Sequence, residues 1–275
     1  MRTPHDHRRS LITPPERGLH DTSPAASRSD GFRTGNGEFG AVLHGAPALE
    51  KVVFSHHRLV LPDGPLSGQA DGRDEPSAGT ARSPRRGPTC HPAYEFRISS
   101  PGATTVERYG RSTDFHTGEV TSTWTDGYGT WTRRAFASMA DRVIAHELLP
   151  APGRTVDTTL SVDTALDGLP GSMSFTTRAA VSNGSGYLNL RGAYPAGRGA
   201  FGYEGVTRAV ASGGTVFASG ATLVVIGATR LLLLTKLDRY ESSTSWIFQS
   251  LRTALAGLDT DYATLFARHT AVTAA

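Results

Sequence analysis

The sequence predicts a mainly β fold, a large antiparallel β-sandwich (supersandwich) with a short C-terminal linker helix. Three observations point there. Short apolar runs with period two recur from residue 120 to residue 237, separated by Gly and Asn-Gly turn signals. Hydrophobic residues make up only 38% of the 275 residues, while 31 Gly and 16 Pro fill much of the rest, which excludes long helical bundles. Helical spacing of apolar residues occurs only near the C-terminus.

Residues 1–33 are polar, contain prolines and show no periodicity, so they read as a disordered N-terminal arm. The sandwich domain is placed at 34–250. Ala41–Gly45 and Lys51–Phe54 read as its first strands. Between residues 61 and 90 lie five prolines and five glycines but only Leu61 and Leu66 as large aliphatics, too little apolar surface to offset the entropy of ordering. This segment reads as a long loop. Val120, Ser122 and Trp124, then Trp131, Arg133 and Ala135, flank Asp126-Gly127-Tyr128-Gly129, the signature of a hairpin. Arg142–Leu149 and Thr155–Asp163 continue the alternation. Further short strands are expected at 173–177, 187–191, 206–211, 216–218, 223–226 and 230–237. From residue 251, Leu251, Leu255, Leu258, Tyr262, Leu265 and Phe266 recur at three and four residues, so 251–275 reads as the start of a linker, two short helices broken around Gly257 with Asp261 near a helix start.

The 28 Lys+Arg against 25 Asp+Glu leave +3, spread along the chain, which gives no basic stripe for nucleic acid. Cys90 is the one cysteine, excluding an internal disulfide and any multi-Cys zinc site. Residues 222–237 are the most apolar stretch, but Gly227, Thr229, Arg230 and Lys236 interrupt it and it falls short of the ~20 residues a membrane helix needs. No apolar run follows Arg8 and Arg9, so no signal peptide is read and a cytoplasmic location is expected.

Gly35-Asn36-Gly37-Glu38-Phe39-Gly40 satisfies G-x-G-x-x-G, but a nucleotide site needs a buried strand before it and a helix after it. The segment before is polar and the one after reads as a strand, so these glycines read as a turn. His56-His57-Arg58 follows a strand; alternation would send the two histidines to opposite faces, and no further ligands complete a metal site. One packed and one solvated histidine, or a polar contact with a ligand, are the two readings. Glu38, Asp114, Asp126, Glu147 and Asp163 are carboxyls of the type a glycoside hydrolase uses, but no spacing singles out a pair. Trp124, Tyr128 and Trp131 suit either an aromatic sugar platform or core packing. No cofactor and no metal are called for.

Five segments in order then carry a resemblance: Gly35–Val42, Phe54–Pro62, His91–Ile98, Tyr109–Val120 with its Asp114-Phe115-His116-Thr117-Gly118-Glu119-Val120 run, and Trp131–Ser138 continuing through Asp141–Ile144. Together they resemble the N-terminal domain of glycoside hydrolase family 95, the α-L-fucosidase-like enzymes, over about residues 31–270. The resemblance implies a β-sandwich that precedes a linker helix and a catalytic (α/α)6 barrel. That barrel lies outside these residues, so no catalytic residue is transferred and the chain is expected to be inactive alone. The partner implied is a catalytic barrel, in cis or from a split gene, and the ligand is carbohydrate. Phe54–Arg58 resembles the family segment that approaches the barrel, which makes His56, His57 and Arg58 candidate sugar contacts, with Asn36 as a further one. The rival readings are a free-standing carbohydrate-binding module and a non-functional truncated remnant.

Overall fold

A computed structural model of the protein describes residues 11–61, 89–100, 102, 105–195, 201–242 and 244–273. In chain order the strands are β1 (Gly18–Asp21), β2 (Phe32–Gly35), β3 (Phe39–Leu43), β4 (Leu49–His56), β5 (Val60–Leu61), β6 (Thr89–Cys90), β7 (Tyr94–Ser99), β8 (Arg108–Asp114) and β9 (Val120–Asp126). There follow β10 (Gly129–Ser138), β11 (Val143–Leu149), β12 (Val156–Asp163), β13 (Ser174–Ser182), β14 (Ser185–Ala193), β15 (Gly202–Ser212), β16 (Thr215–Ser219), β17 (Thr222–Ala228) and β18 (Arg230–Tyr240). Two helices close the chain, α1 (Phe248–Ala256) and α2 (Tyr262–Thr273).

Two antiparallel sheets face each other. One has nine strands in the order β1-β8-β9-β10-β11-β18-β15-β14-β13, the other seven in the order β16-β17-β12-β7-β4-β3-β2. The predicted sandwich is therefore the observed one. Between the sheets, Phe54, Tyr94, Phe96, Ile98, Leu160, Leu190, Leu231 and Leu233 belong to a single core. The alternation expected of half-buried strands holds at β3, with buried and half-buried residues in turn.

β18 departs from that alternation, and its position explains why. Leu231, Leu233 and Leu237 enter the inter-sheet core, while Leu232 and Leu234 on the opposite face pack beneath α1 and α2. A central strand covered on both faces reads as a continuous apolar run, which is what 231–234 shows. The apolar stretch of 222–237 is thus a hairpin, β17 and β18, and among the described residues no helix is long and apolar enough to cross a membrane.

The helices break where the sequence places the break. Arg208 donates to the carbonyls of Leu255 and Ala256 and so satisfies the end of α1, and Asp261 accepts from the Thr264 amide at 2.9 Å as the cap of α2. Tyr262 and Leu265 sink onto Phe136, Val143 and Leu232 of the nine-stranded sheet.

The N-terminal segment differs from the expected arm. Residues 1–10 lie outside the described residues, but Gly18–Asp21 pairs along β8 as an edge strand and Arg111 reaches Asp21 at 2.9 Å. β1 is a polar strand, held by backbone pairing and one ion pair, so it carries no hydrophobic signal. Of the expected loop at 61–90, residues 62–88 lie outside the described residues; Leu61 and Cys90 sit in the short β5–β6 ladder.

Candidate functional site

β10 runs the length of the sandwich, and polar groups gather at each of its ends. At the Ser138 end, three connections meet: the β2–β3 turn, the turn after β4, and the β10–β11 turn, with the end of β18 beside them. Gly37 adopts φ +83°, a left-handed conformation in open space, which a glycine reaches without strain. The Asn36 side chain organises this turn from both ends of its amide. Its Oδ1 accepts from the Glu38 and Phe39 amides at 3.0 and 2.8 Å, and its Nδ2 donates to the Ser138 carbonyl at 2.8 Å. Asn36 is thereby occupied as a turn former. Asn36→Ala is expected to lower stability by ~1–2 kcal/mol, the range for losing a capping side chain, as measured by the urea midpoint. The same turn rules out the nucleotide reading of G-x-G-x-x-G, since β3 follows where a helix is required.

The three other candidates stand together. β4 ends at His56, so the chain turns instead of alternating, and the two imidazoles stack with centroids 4.7 Å apart and 21° between planes. His56 is buried and His57 exposed, the packed-and-solvated pair. His56 Nδ1 accepts from the Arg58 amide at 3.1 Å, which leaves Nε2 to carry the proton. That Nε2 lies 3.7 Å from Glu38 and 3.9 Å from Asp238. Burial nevertheless holds the His56 pKa below its ordinary value, with the two carboxylates pulling the other way and the charges of His57 and Arg58 adding to the depression.

Arg58 spans Asp238 at 3.1 Å and Glu241 at 2.5 Å, and Arg142 bonds Glu38 at 2.7 Å. The Arg142 bond holds the Glu38 carboxyl below its usual range against the effect of burial. Lys236 Nζ donates to the carbonyls of Asp141 and Arg142, bracing the β10–β11 turn. Arg142, Asp238, Glu241 and Lys236 were not singled out from the sequence. They lie about 105 to 205 residues beyond the β2–β3 turn, and their local pattern does not mark them as partners of that turn.

This cluster presents hydrogen-bond donors and acceptors. A glycoside hydrolase needs one carboxyl held protonated, whereas Glu38 is held ionised by Arg142. Among the described residues, burial pushes two carboxyls upward, and both are bonded into the fold: Glu50 accepts from the His44 and Gly45 amides, and Glu119 accepts from the Tyr262 hydroxyl beneath α2. Of the other carboxyls considered from sequence, Glu147 is bonded to Arg134, Asp163 to Arg97, and Asp114 and Asp126 each accept a backbone amide two residues on. Among the described residues, no three His, Cys, Asp or Glu side chains converge to hold a metal ion. Cys90 is exposed and free. Trp124 and Trp131 lie at the opposite end of β10, directly paired across β9–β10.

No curated protein matches this sequence. Among solved structures, "Putative kojibiose phosphorylase from human microbiome" superimposes with a TM-score of 0.54 at 13% identity, a likeness of fold. The superposition covers 96% of this chain and 39% of the other, so the chain spans about two fifths of that relative. The family model described as "Glycosyl hydrolase family 65, N-terminal domain" matches residues 72–241, more than half of the chain and including most of both sheets. The sequence resemblance pointed to the corresponding domain of family 95; the match is to the family 65 description. On that match, this chain belongs to the glycosyl hydrolase family 65 N-terminal domain family.

Proposed function

We propose that this domain is a non-catalytic β-sandwich that buttresses an (α/α)6 catalytic barrel and supplies one wall of its sugar cleft, as in an α-L-fucosidase-like hydrolase. The observation that carries this reading is where α2 finishes. Arg268 pairs with Asp141 at 3.0 Å, and His269 accepts from the Met139 amide and meets the Thr117 carbonyl. The last turns of α2 thus lie at the same end of the sandwich as His56, His57 and Arg58. A catalytic domain following α2 would begin beside the polar cluster, with exposed His57 and half-exposed Arg58 facing its cleft as hydrogen-bonding groups for sugar hydroxyls.

The fucosidase-like assignment draws on the five ordered motif segments, and the kojibiose phosphorylase likeness offers a second substrate class on the same sandwich. Assays of the purified chain with aryl α-L-fucoside, and with kojibiose plus phosphate, are expected to show no turnover. Turnover abolished by a single substitution in the chain would overturn the non-catalytic reading. With a barrel supplied, Arg58→Ala is expected to raise KM for one of these substrates by about tenfold, equivalent to one lost charged hydrogen bond. An unchanged KM for both would remove the cluster from the cleft.

A further inference from the structure

The other end of the sandwich holds a cavity of about 250 Å³ between the sheets, walled by Trp124, Tyr128, Trp131, Arg154 and Asp157 among others. Ser138 lies seven positions along β10 from Trp131, so at ~3.3 Å per residue this cavity lies ~23 Å from the cluster around His56. Its chemistry is independent of the reading given above.

Trp124 and Trp131 occupy directly opposed positions of β9 and β10, and their rings are parallel within 4° with centroids 6.3 Å apart. Both indole Nε1 atoms are buried and find no hydrogen-bond partner among the described residues, although Trp124 is only 3% exposed. A buried N–H without an acceptor forfeits its hydration, so both indoles carry that cost beside the cavity. The rest of the wall combines Leu148, Leu149 and Val156 with polar groups that are braced. Arg154 lies over the Tyr128 ring at 4.0 Å from its centroid, and its amide donates to the Ala151 carbonyl. Asp157 is fixed by the Gly227 amide and the Thr155 hydroxyl, and Asp126 by the Tyr128 amide. Their free lone pairs remain as acceptors.

We propose that this cavity is a second saccharide site that takes one neutral pyranose ring. The ring's C–H face suits the apolar wall of Trp131, Leu148, Leu149 and Val156, and its hydroxyl protons are met by Asp126 and Asp157. Arg154 and the two carboxylates bring both signs of charge to the mouth, which favours an uncharged polyol over an anion. The volume lies below the roughly 300–1,000 Å³ of pockets for drug-sized ligands and is scaled to a single sugar ring.

Calorimetric titration of the full chain with D-glucose and with L-fucose, with glycerol as a non-cyclic control, tests this. Saturable binding of at least one sugar and none of glycerol is expected. Tyr128→Ala, at an exposed turn tip, and Trp131→Phe, which keeps a ring but shortens the aromatic wall, are each expected to weaken it by about tenfold. Val181→Ala, exposed on β13 and part of neither site, is expected to leave it unchanged. Thermal unfolding checks that each variant is folded, and Tyr128→Ala keeps the test valid should Trp131→Phe fail to fold. Absence of saturable binding with both sugars, or affinity equal to wild type in folded Tyr128→Ala, overturns the proposal. Loss of binding in His57→Ala alone would also overturn it, by moving the sugar to the other end.

Discussion

Arg133→Met is expected to destabilise the chain by about 3–5 kcal/mol, the cost of stripping one partner from a buried ion pair. Arg133 is 3% and Glu50 1% exposed, with Nη1 and Oε2 3.6 Å apart. The guanidinium also donates at 2.7 Å to the carbonyls of Ala46 and Pro47 and lies over the Trp124 ring. It thereby ties the β3–β4 connection of one sheet to β10 of the other. Burial pushes the Glu50 carboxyl up and the Arg133 guanidinium down, and mutual attraction opposes both shifts. Methionine retains much of the volume but leaves Glu50 uncompensated and two carbonyls without their donor. Urea denaturation measures the loss. Adding Glu50→Gln to Arg133→Met is expected to recover part of it, because the orphaned charge is what costs most; a double variant no more stable than Arg133→Met would show that the carbonyl contacts dominate.

His146 gives the second large effect, through pH. It sits on the inner face of β11 among Leu43, Phe54, Phe96, Ile144 and Leu233, with its Nε2 unpartnered among the described residues. Burial pushes its pKa down to about 3, with the nearby Arg133 charge adding to the depression. The unfolded chain, near 6.5, then binds the proton more readily than the folded one. Its contribution to stability is complete above pH ~6.5 and is lost as pH falls toward the folded value. Two pH units below 6.5, at pH 4.5, the loss from this one residue is ~2–3 kcal/mol at about 1.36 kcal/mol per unit. Burial lowers His44, His56 and His91 in the same direction, so they add to the effect. The raised carboxyls Glu50 and Glu119 act oppositely in this window, gaining protons in the folded state. Comparison with His146→Leu isolates the single group: the variant's urea midpoint is expected to fall less steeply between pH 7 and pH 4.5. Parallel pH profiles would show that His146 is protonated in the folded state.

Most of the architecture was readable from local pattern. The Asp126–Gly129 hairpin, the strands from β11 to β18 and the two-helix end with Asp261 as cap all follow from period, turn residues and capping chemistry, which act over a few residues. β1 escaped because a polar edge strand is held by its neighbour's backbone, a partner about 90 residues away in sequence. His56 and His57 stack on one side because β4 stops at His56, and a strand's stopping point depends on what pairs with it. The candidate site was half legible. His56, His57 and Arg58 form a sequence cluster, but their partners Glu38, Arg142, Asp238 and Glu241 come from three other segments. Asn36, grouped with the candidates by resemblance, is consumed by the turn it builds.

By itself the sequence determined a two-sheet sandwich with a helical end, because alternation, glycine turns and helix spacing are encoded between near neighbours. Only the tertiary structure decided that the polar cluster and the tryptophan-lined cavity occupy opposite ends of β10, and that Glu50 and Arg133 meet across the core. Those arrangements depend on which strands pair and on where each one stops, and these are set by long-range packing that no short stretch of the chain contains.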